Sequence, residues 1–398
     1  MTVYSHSRLE TFENCPLMYK FSYIDRIRSK REGIEGFMGS RVHETLEKLY
    51  ADLKYCKPDS EEELVAFYNS AWARNWHDCV FVVKEEYCAD NYREMGEKCV
   101  REYYRHYHPF DDGRTLWLEQ KVIIPLDPEG RYRMNGVVDR LVEKEPGVYE
   151  IHDYKGSGTL PDQWKFDNDR QLALYQLGVE QALPDVREVS LVWHYLVFDK
   201  EMRSQRTPEQ LEQLKAKVVS LIQTIEATET FEPREGSLCE WCDFPELCPH
   251  RKHLYAVGEL PPAEFKADDG VQLVDRYAAL KEKKAQVEAE LDELKCRIDE
   301  YCTAMEVDRV RGSGNILSLS RREAPRFPEA KSPERRAMED LIRTLGHWDE
   351  VSMLSTYKLG KAVACGAWSE FDRTQVDQFL NWEDSVTIRL KKVEEREE

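Results

Sequence analysis

At 398 residues, the chain is longer than one typical domain, and its length predicts a large core followed by an appended unit. The formal net charge of −19 argues against a protein that coats nucleic acid, because binding through phosphate neutralisation usually goes with a basic balance. Any contact with nucleic acid should therefore be local.

The N-terminal sequence MTVYSHSRLETF lacks the charged start and apolar stretch of a secretion signal. No apolar run in the chain approaches the roughly 18 residues that span a bilayer. We therefore expect a soluble, cytoplasmic protein with no membrane partner. In a reducing cytosol, its eleven cysteines are expected to be free thiols or metal ligands rather than disulfides.

The first elements are predicted to be helical. Residues 39–51 (GSRVHETLEKLYA) place Val42, Leu46 and Leu49 at helical spacing, with His43 beside this apolar stripe. The aromatic-rich stretch from there to about residue 110 is also predicted to be helical.

The pattern then changes to strands. Residues 116–125, 131–143 and 148–155 are predicted to be three strands, the last two joined by a Glu-Pro-Gly turn. Residues 167–182 return to helical spacing, and the apolar run at 189–198 indicates a buried strand. The predicted order is helix, three strands, helix, strand, which is an α/β fold.

A cysteine cluster follows this core. Cys239, Cys242 and Cys248 lie in the run CEWCDFPELC, a spacing that can surround one metal centre with thiolates. Such centres need four ligands, and Cys15 is the natural fourth. Joining it to the cluster would close a loop of 224 residues (239 minus 15), so the centre would clasp the two ends of one domain.

The segment LPPAEF near residue 260 predicts a linker, which divides the chain into domains at 1–255 and 256–398. The second domain is predicted to be an α-rich accessory domain. It begins with a long helix over about 270–304, whose apolar residues follow a heptad pattern interrupted by Lys284. We favour packing of this helix against its own chain over self-association, although the pattern is typical of both.

The rest of the accessory domain is predicted to contain a hairpin at 310–323, terminal helices and a last strand near 386–393. No motif in it indicates a function.

Two carboxylates and a lysine are predicted to converge in the core. Asp153 and Lys155 are two residues apart and lie on the same face of their strand. Because the preceding strand forms a hairpin with it, Asp139 can lie across from this pair. Two carboxylates can hold a hard divalent cation, and a neighbouring lysine can orient water or stabilise a charged transition state. An isolated Asp-x-Lys would be an ordinary solvated strand face, so its meaning depends on context.

The context resembles the PD-(D/E)XK nucleases, in particular the iron-sulfur branch that includes the AddB nuclease domain and the RecB-like exonucleases associated with CRISPR systems. Each motif alone is weak, but their order over residues 1–250 is specific. The matching residues, in chain order, are Cys15 in FENCPLMYKFSY, His43 in GSRVHETLE, Asp139 in GVVDR, Asp153 and Lys155 in DYK, Gln171 and Tyr175 in QLALY, and the three clustered cysteines.

The resemblance implies a restriction-endonuclease-like core and roles for these residues. His43, Asp139 and Asp153 would bind Mg²⁺ or Mn²⁺, together with the backbone carbonyl of Tyr154. Lys155 would serve the attacking water. Gln171 and Tyr175, four residues apart on one helix face, would point toward the site or the nucleic acid. Packing within the helix is the alternative for these last two residues.

Cys15, Cys239, Cys242 and Cys248 would hold a [4Fe-4S] cluster as a structural staple. Zinc sites made of four cysteines usually combine two Cys-x-x-Cys hooks, whereas here one ligand is distant and single. The implied function is a metal-dependent DNA nuclease, expected to act as an exonuclease on single-stranded DNA or ends in DNA repair or recombination.

Two other classes of protein stay open. One is a non-catalytic iron-sulfur scaffold or DNA-binding subunit, and the other is an interaction protein stabilised by zinc. The chain has no Gly-x-x-x-x-Gly-Lys-Ser/Thr motif for ATP hydrolysis, which suggests a partner helicase or a DNA end that is already open.

Basic residues near the N-terminus form a first candidate for local DNA contact, and a weaker second candidate lies beside the C-terminal hairpin. These are Arg26, Arg28, Lys30 and Arg31, and then Arg321, Arg322 and Arg326.

Overall fold

A computed structural model divides the chain into two units, Met1–Phe265 and Lys266–Glu398. It describes residues 3–29, 31–55, 59–84, 86–258, 260–320, 328–329, 331–344 and isolated positions between 346 and 374. Among these residues, no helix is long and apolar enough to cross a membrane.

The first unit mixes helices and strands. Its helices are α1 (His6–Asn14), α2 (Pro16–Tyr19), α3 (Ile34–Lys54), α4 (Glu61–Asn75), α5 (Ala89–Tyr107), α6 (Gln163–Asp167), α7 (Gln171–Ala182), α8 (Pro208–Ala227) and α9 (Lys252–Gly258), and the chain passes into the second unit within α10 (Pro262–Ala267). Its strands are β1 (Glu32–Gly33), β2 (Val80–Phe81), β3 (Arg114–Pro125), β4 (Arg133–Glu145), β5 (Val148–Lys155), β6 (Glu188–Tyr195) and β7 (Lys200–Ser204).

Strands β3 to β7 form one five-stranded sheet in chain order. β5 and β6 are parallel, whereas the other neighbours pair antiparallel. A parallel pair needs a crossover connection, which α6 and α7 provide. The carboxyl end of β5, which carries the predicted Asp-x-Lys, therefore lies beside the start of the crossover.

Helices cover both faces of this sheet. Because side chains alternate along a strand, Tyr149 and Ile151 of β5 join the core that contains α7 and α8, whereas Tyr154 joins the core of α3, α4 and α5. The mixed α/β architecture with its central sheet is the predicted one. His43, on α3, thus approaches the sheet from the opposite face to Gln171, on α7.

The structure corrects two element boundaries. The predicted helix at 167–182 begins only at Gln171, because the Asp169 carboxylate accepts hydrogen bonds from the backbone N–H groups of Gln171 and Leu172 and starts α7 there, whereas the preceding α6 already ends at Asp167. The predicted strand at 189–198 ends at Tyr195, where Leu196–Phe198 turn into a 3-10 helix. The chain then reverses into β7, a polar strand that was not predicted.

The second unit begins with α11 (Asp269–Ala304), followed by β8 (Arg309–Arg311), β9 (Ile316–Ser318) and α12 (Pro333–Thr344). The heptad residues Leu273, Leu280 and Leu291 on α11 are each at least half exposed. The predicted last strand near 386–393 lies outside the described residues.

Candidate active site

The predicted carboxylates, Asp139 and Asp153, come together at the open end of the β4–β5 hairpin, away from its turn. Arg140 pairs with His152 across the two strands, which places Asp139 next to Asp153 and Tyr154. The backbone N–H of Tyr154 donates to Asp139 Oδ2 at 3.1 Å. Asp153 is buried and the Asp139 side chain is only 10% exposed, and both lie beside residues that line an open cleft.

His43 meets these carboxylates from α3. Its Nδ1 lies 3.5 Å from Asp139 Oδ2, and its Nε2 lies 2.7 Å from the carbonyl oxygen of Tyr154. Because a carbonyl oxygen can only accept, Nε2 must carry the proton and donate it. Nδ1 therefore faces the carboxylates, an arrangement in which metal-binding histidines are commonly held.

Glu119 of β3 completes this cluster, and the sequence interpretation missed it. One ligand atom from each of His43, Glu119 and Asp139 lies within 4.8 Å of the other two. Glu119 has a φ of 43°, which is rare for a residue other than glycine and breaks the regular alternation of β3. The available signal was an acidic residue within the predicted strand LWLEQKVIIP.

The ionisation of the cluster reflects its burial and crowding. Burial, followed by the negative charge of Asp153, raises the pKa of Asp139. Burial lowers the pKa of His43, but the nearby carboxylate of Glu119 and the charges of Asp139 and Asp153 outweigh it and raise that pKa. The site therefore concentrates negative charge that a cation can neutralise.

Lys155 is held beside Asp153 by Gln171. Lys155 Nζ lies 2.8 Å from Asp153 Oδ2 and donates to Gln171 Oε1, also at 2.8 Å. Gln171 Nε2 in turn donates to Asp153 Oδ1 at 3.1 Å. Burial lowers the pKa of Lys155, but the charge of Asp153 outweighs it and raises the pKa to about 12, so the ammonium is charged at neutral pH.

Tyr175 lies one helical turn beyond Gln171 and packs against β4. Its hydroxyl lies 3.3 Å from Gln171 Nε2. Its ring packs directly against Gly136, so closely that a Cβ atom at position 136 would lie 2.6 Å from Tyr175 Cε1. Tyr175 thus combines contact with the polar site and core packing.

The site residues open into a cleft of about 1330 Å³. His43, Glu119 and Lys155 line it together with small residues from α3 and from the loop after β5. Leu238 and Trp241, from the cysteine-bearing segment, form another part of the wall. This volume exceeds that of a typical small-molecule pocket and can admit part of a polymer.

The four predicted cysteine ligands line a second cavity, of about 410 Å³. Backbone N–H groups donate to three of the sulfurs: Arg234 to Cys15, Gly236 to Cys239 and Phe244 to Cys242. Thiolates around one tetrahedral zinc lie about 3.8 Å apart, given Zn–S bonds of about 2.3 Å. Within the described part of the chain, no three cysteine sulfurs lie within even 4.8 Å of one another.

The first basic patch is only partly described. Arg26 and Arg28 are exposed, whereas the Arg31 guanidinium lies 3.9 Å from the ring centroid of Phe81. The neighbouring Tyr19 is fully buried in the core. Lys30 and the second patch, Arg321, Arg322 and Arg326, lie outside the described residues.

Comparison with known proteins gives a family match over the first unit. The family model of the PD-(D/E)XK nuclease superfamily matches residues 3–249. No curated protein matches the chain.

Two solved structures are similar to this chain at low identity. A protein from Eubacterium rectale, described provisionally as an exonuclease, is 14% identical over 63% of this chain and 87% of that one, with a TM-score of 0.36. The protein SSO0001 is 13% identical over 62% of this chain and 93% of that one, with a TM-score of 0.27. The family match spans more than half of the chain and includes every residue of the site described above, so the protein belongs to the PD-(D/E)XK nuclease superfamily.

Proposed function

We propose that this protein is a metal-dependent deoxyribonuclease that hydrolyses phosphodiester bonds, acting as an exonuclease on single-stranded DNA or on DNA ends. The observation that carries the proposal is the cluster of His43, Glu119 and Asp139 beside the Asp153–Lys155 pair, at an open cleft that His43, Glu119 and Lys155 line. We place its role in DNA repair, recombination or related DNA processing.

The residues present fit Mg²⁺ or Mn²⁺. Carboxylate oxygens suit both cations, and the imidazole of His43 also suits Mn²⁺. Buried Asp153 Oδ2 accepts no hydrogen bond from the residues that the structure describes, although Lys155 Nζ lies 2.8 Å away, so its lone pairs can face a cation. A divalent cation held there neutralises charge on a phosphate and lowers the pKa of water.

The protein's own residues orient the reaction. The carbonyl of Tyr154 fixes the ring of His43, and we also retain this oxygen as a candidate metal ligand. Lys155, steadied by Asp153 and Gln171, donates hydrogen bonds to the attacking water or to the phosphate oxygens as their charge grows.

We further propose that Cys15, Cys239, Cys242 and Cys248 hold a structural [4Fe-4S] cluster, as in the iron-sulfur branch that includes the AddB nuclease domain. The shared cavity and the N–H groups aimed at the sulfurs support this assignment. Cys15→Ser should abolish iron binding by protein purified anaerobically, whereas the exposed Cys79 offers a matched control in Cys79→Ser. Equal iron in both variants would contradict the assignment.

The proposed partners are a helicase that opens the DNA and a second copy of the chain. The heptad residues of α11 are half exposed, and this exposure supports self-association over the packing against its own chain that we expected from the sequence. Efficient cleavage of intact blunt duplex without ATP would contradict the need for a helicase.

The direct test is cleavage of end-labelled single- and double-stranded DNA with Mg²⁺, Mn²⁺ or EDTA. We expect metal-dependent cutting that falls roughly 100-fold or more in Lys155→Ala. The substitution removes the Lys155 ammonium from the place where negative charge develops in the transition state. Lys165→Ala, on α6, is the matched control. A folded wild-type protein that carries its iron but cuts nothing would instead favour the non-catalytic scaffold.

A further inference from the structure

We propose that Trp241 stacks on an unpaired base of the bound DNA strand, so that the segment carrying the cysteines also forms part of the substrate site. This inference rests on the proposed nuclease function. It adds a residue that selects single-stranded substrate, and it assigns a second role to the cysteine-bearing segment.

Trp241 lies between two cavities. The 3-10 helix Ser237–Trp241 contains Cys239 and ends directly before Cys242. Leu238 and Trp241 line both the cysteine cavity and the cleft that contains His43 and Lys155. The wall that separates the two cavities is therefore apolar and partly aromatic on the side that faces the substrate.

The opposite wall of the cleft leaves room for a strand. Gly36 and Gly39 on α3 and Gly158 after β5 line the cleft, and a side chain at each would meet no atom within 4 Å. The cleft that Trp241 lines therefore has open space beside these small residues, which a base can occupy.

The acidic residues of the cleft limit its attraction for phosphates, so DNA binding there needs a contribution from base stacking. Four glutamates line the cleft, Glu35, Glu44, Glu47 and Glu119. The lysines that line it within the described residues are Lys84, Lys121 and Lys155. Phosphate contacts alone are therefore few, and aromatic stacking is the sequence-tolerant interaction that holds single strands in such grooves. A base within a duplex is already stacked and cannot make this contact.

The test measures binding of a fluorescent oligothymidylate by anisotropy, with Ca²⁺ replacing Mg²⁺ to prevent turnover. Trp241→Phe keeps an aromatic face, whereas Trp241→Leu keeps an apolar side chain but cannot stack. We expect Trp241→Leu to bind roughly 5- to 150-fold more weakly, and Trp241→Phe to stay close to the wild type. Binding of a blunt hairpin duplex should change little in either variant.

The matched control is Trp164→Leu, because Trp164 is 75% exposed but lines a different cavity. The metal content of the cysteine site is measured in every variant. Equal losses in Trp164→Leu and Trp241→Leu, or equal losses on duplex and single strand, would overturn the assignment. So would a Trp241→Leu variant that loses metal together with binding, since Trp241 would then only support the cysteine centre.

A parallel cleavage assay separates the two proposals. If the wild type cuts the oligonucleotide with Mn²⁺ while Trp241→Leu binds it equally well, the stacking role alone fails. If the wild type shows no metal-dependent cutting and no binding, the proposed function fails and the stacking role fails with it.

Discussion

Glu119 shows how a single backbone angle can place a functional group. Its φ of 43° is a local irregularity within β3, and its carboxylate comes within 3.7 Å of His43 Nδ1. A residue held in a disfavoured conformation at a cluster of ionisable groups is a candidate for function. We therefore expect Glu119 to be a metal ligand alongside the residues predicted from sequence.

Replacing Glu119 with glutamine should lower the affinity for Mn²⁺ at least roughly tenfold, because an amide offers no negative charge to the cation. Glu47→Gln is the matched control, since Glu47 lines the same cleft but lies outside the three-residue cluster. The measurement is the Mn²⁺ concentration that gives half-maximal cleavage. Equal shifts in the two variants would mean that only the general charge of the cleft matters.

Gln171 is expected to act through Lys155. Gln171→Leu removes the acceptor of Lys155 and a donor to Asp153, and it should lower kcat roughly 10- to 100-fold through lost orientation. KM for DNA should change little. Gln176→Leu provides the control on the same helix, because Gln176 is a buried glutamine that donates to Glu180 instead of to the site. A similar kcat loss in the control would indicate a general effect on α7.

Sequence reasoning reached the residues whose positions follow from strand geometry. Asp153 and Lys155 share a face because strand side chains alternate, and the hairpin register brings Asp139 to them. Glu119 could not be placed in the same way, because β3 contains a register shift between Thr115 and Trp117 as well as the turned backbone at Glu119 itself. Such irregularities leave no periodic trace in the sequence.

At the scale of elements, the site depends on close packing of α7 against β4. The ring of Tyr175 lies where a side chain at position 136 would be, and Gly178 lies similarly close to Val122 of β3. The packing of α7 against the sheet therefore fixes the position of Gln171 relative to Asp153. Glycine at position 136 therefore serves the active site as well as the core.

Gly136→Ala should destabilise the first unit by about 1–3 kcal/mol, because the added methyl would lie 2.6 Å from Tyr175 Cε1. In Gly36→Ala, on α3, the added methyl would meet nothing within 4 Å, and this change should instead be neutral or stabilise by up to about 1 kcal/mol. The midpoints of urea unfolding, followed by tryptophan fluorescence, distinguish the two. Equal midpoints would show that Tyr175 and α7 can shift to accommodate the added methyl group at little cost.

Other elements were predictable where their apolar residues recur at helical or strand spacing. The β4–β5 hairpin and α3 have clear apolar patterns, and the structure contains both. β7 is five residues long, KEMRS, and has no alternating apolar pattern, so nothing in its sequence distinguished it from a loop. The division between α6 and α7 depends on the carboxylate of Asp169, which a search for helical period does not detect.

At the scale of the whole molecule, a net charge of −19 must be reconciled with a polyanionic substrate. Among the described residues that line the cleft, three lysines oppose four glutamates, so we expect a bound cation and base stacking to supply much of the attraction. The overall negative field also disfavours non-specific contact with duplex DNA. This balance predicts that binding depends weakly on salt.

For single-stranded DNA, the logarithm of the binding constant falls with the logarithm of salt concentration by about 0.7 for each phosphate neutralised. If Lys84, Lys121 and Lys155 are the contacting cations, the slope should be about −2. Anisotropy titrations over a range of KCl at fixed Ca²⁺ measure it, and Lys121→Ala should make the slope shallower by about 0.7 while Lys165→Ala leaves it unchanged. A slope steeper than about −4 would contradict a cleft-limited contact, because it would require phosphates to reach Arg26 and Arg28 or cations of the second unit.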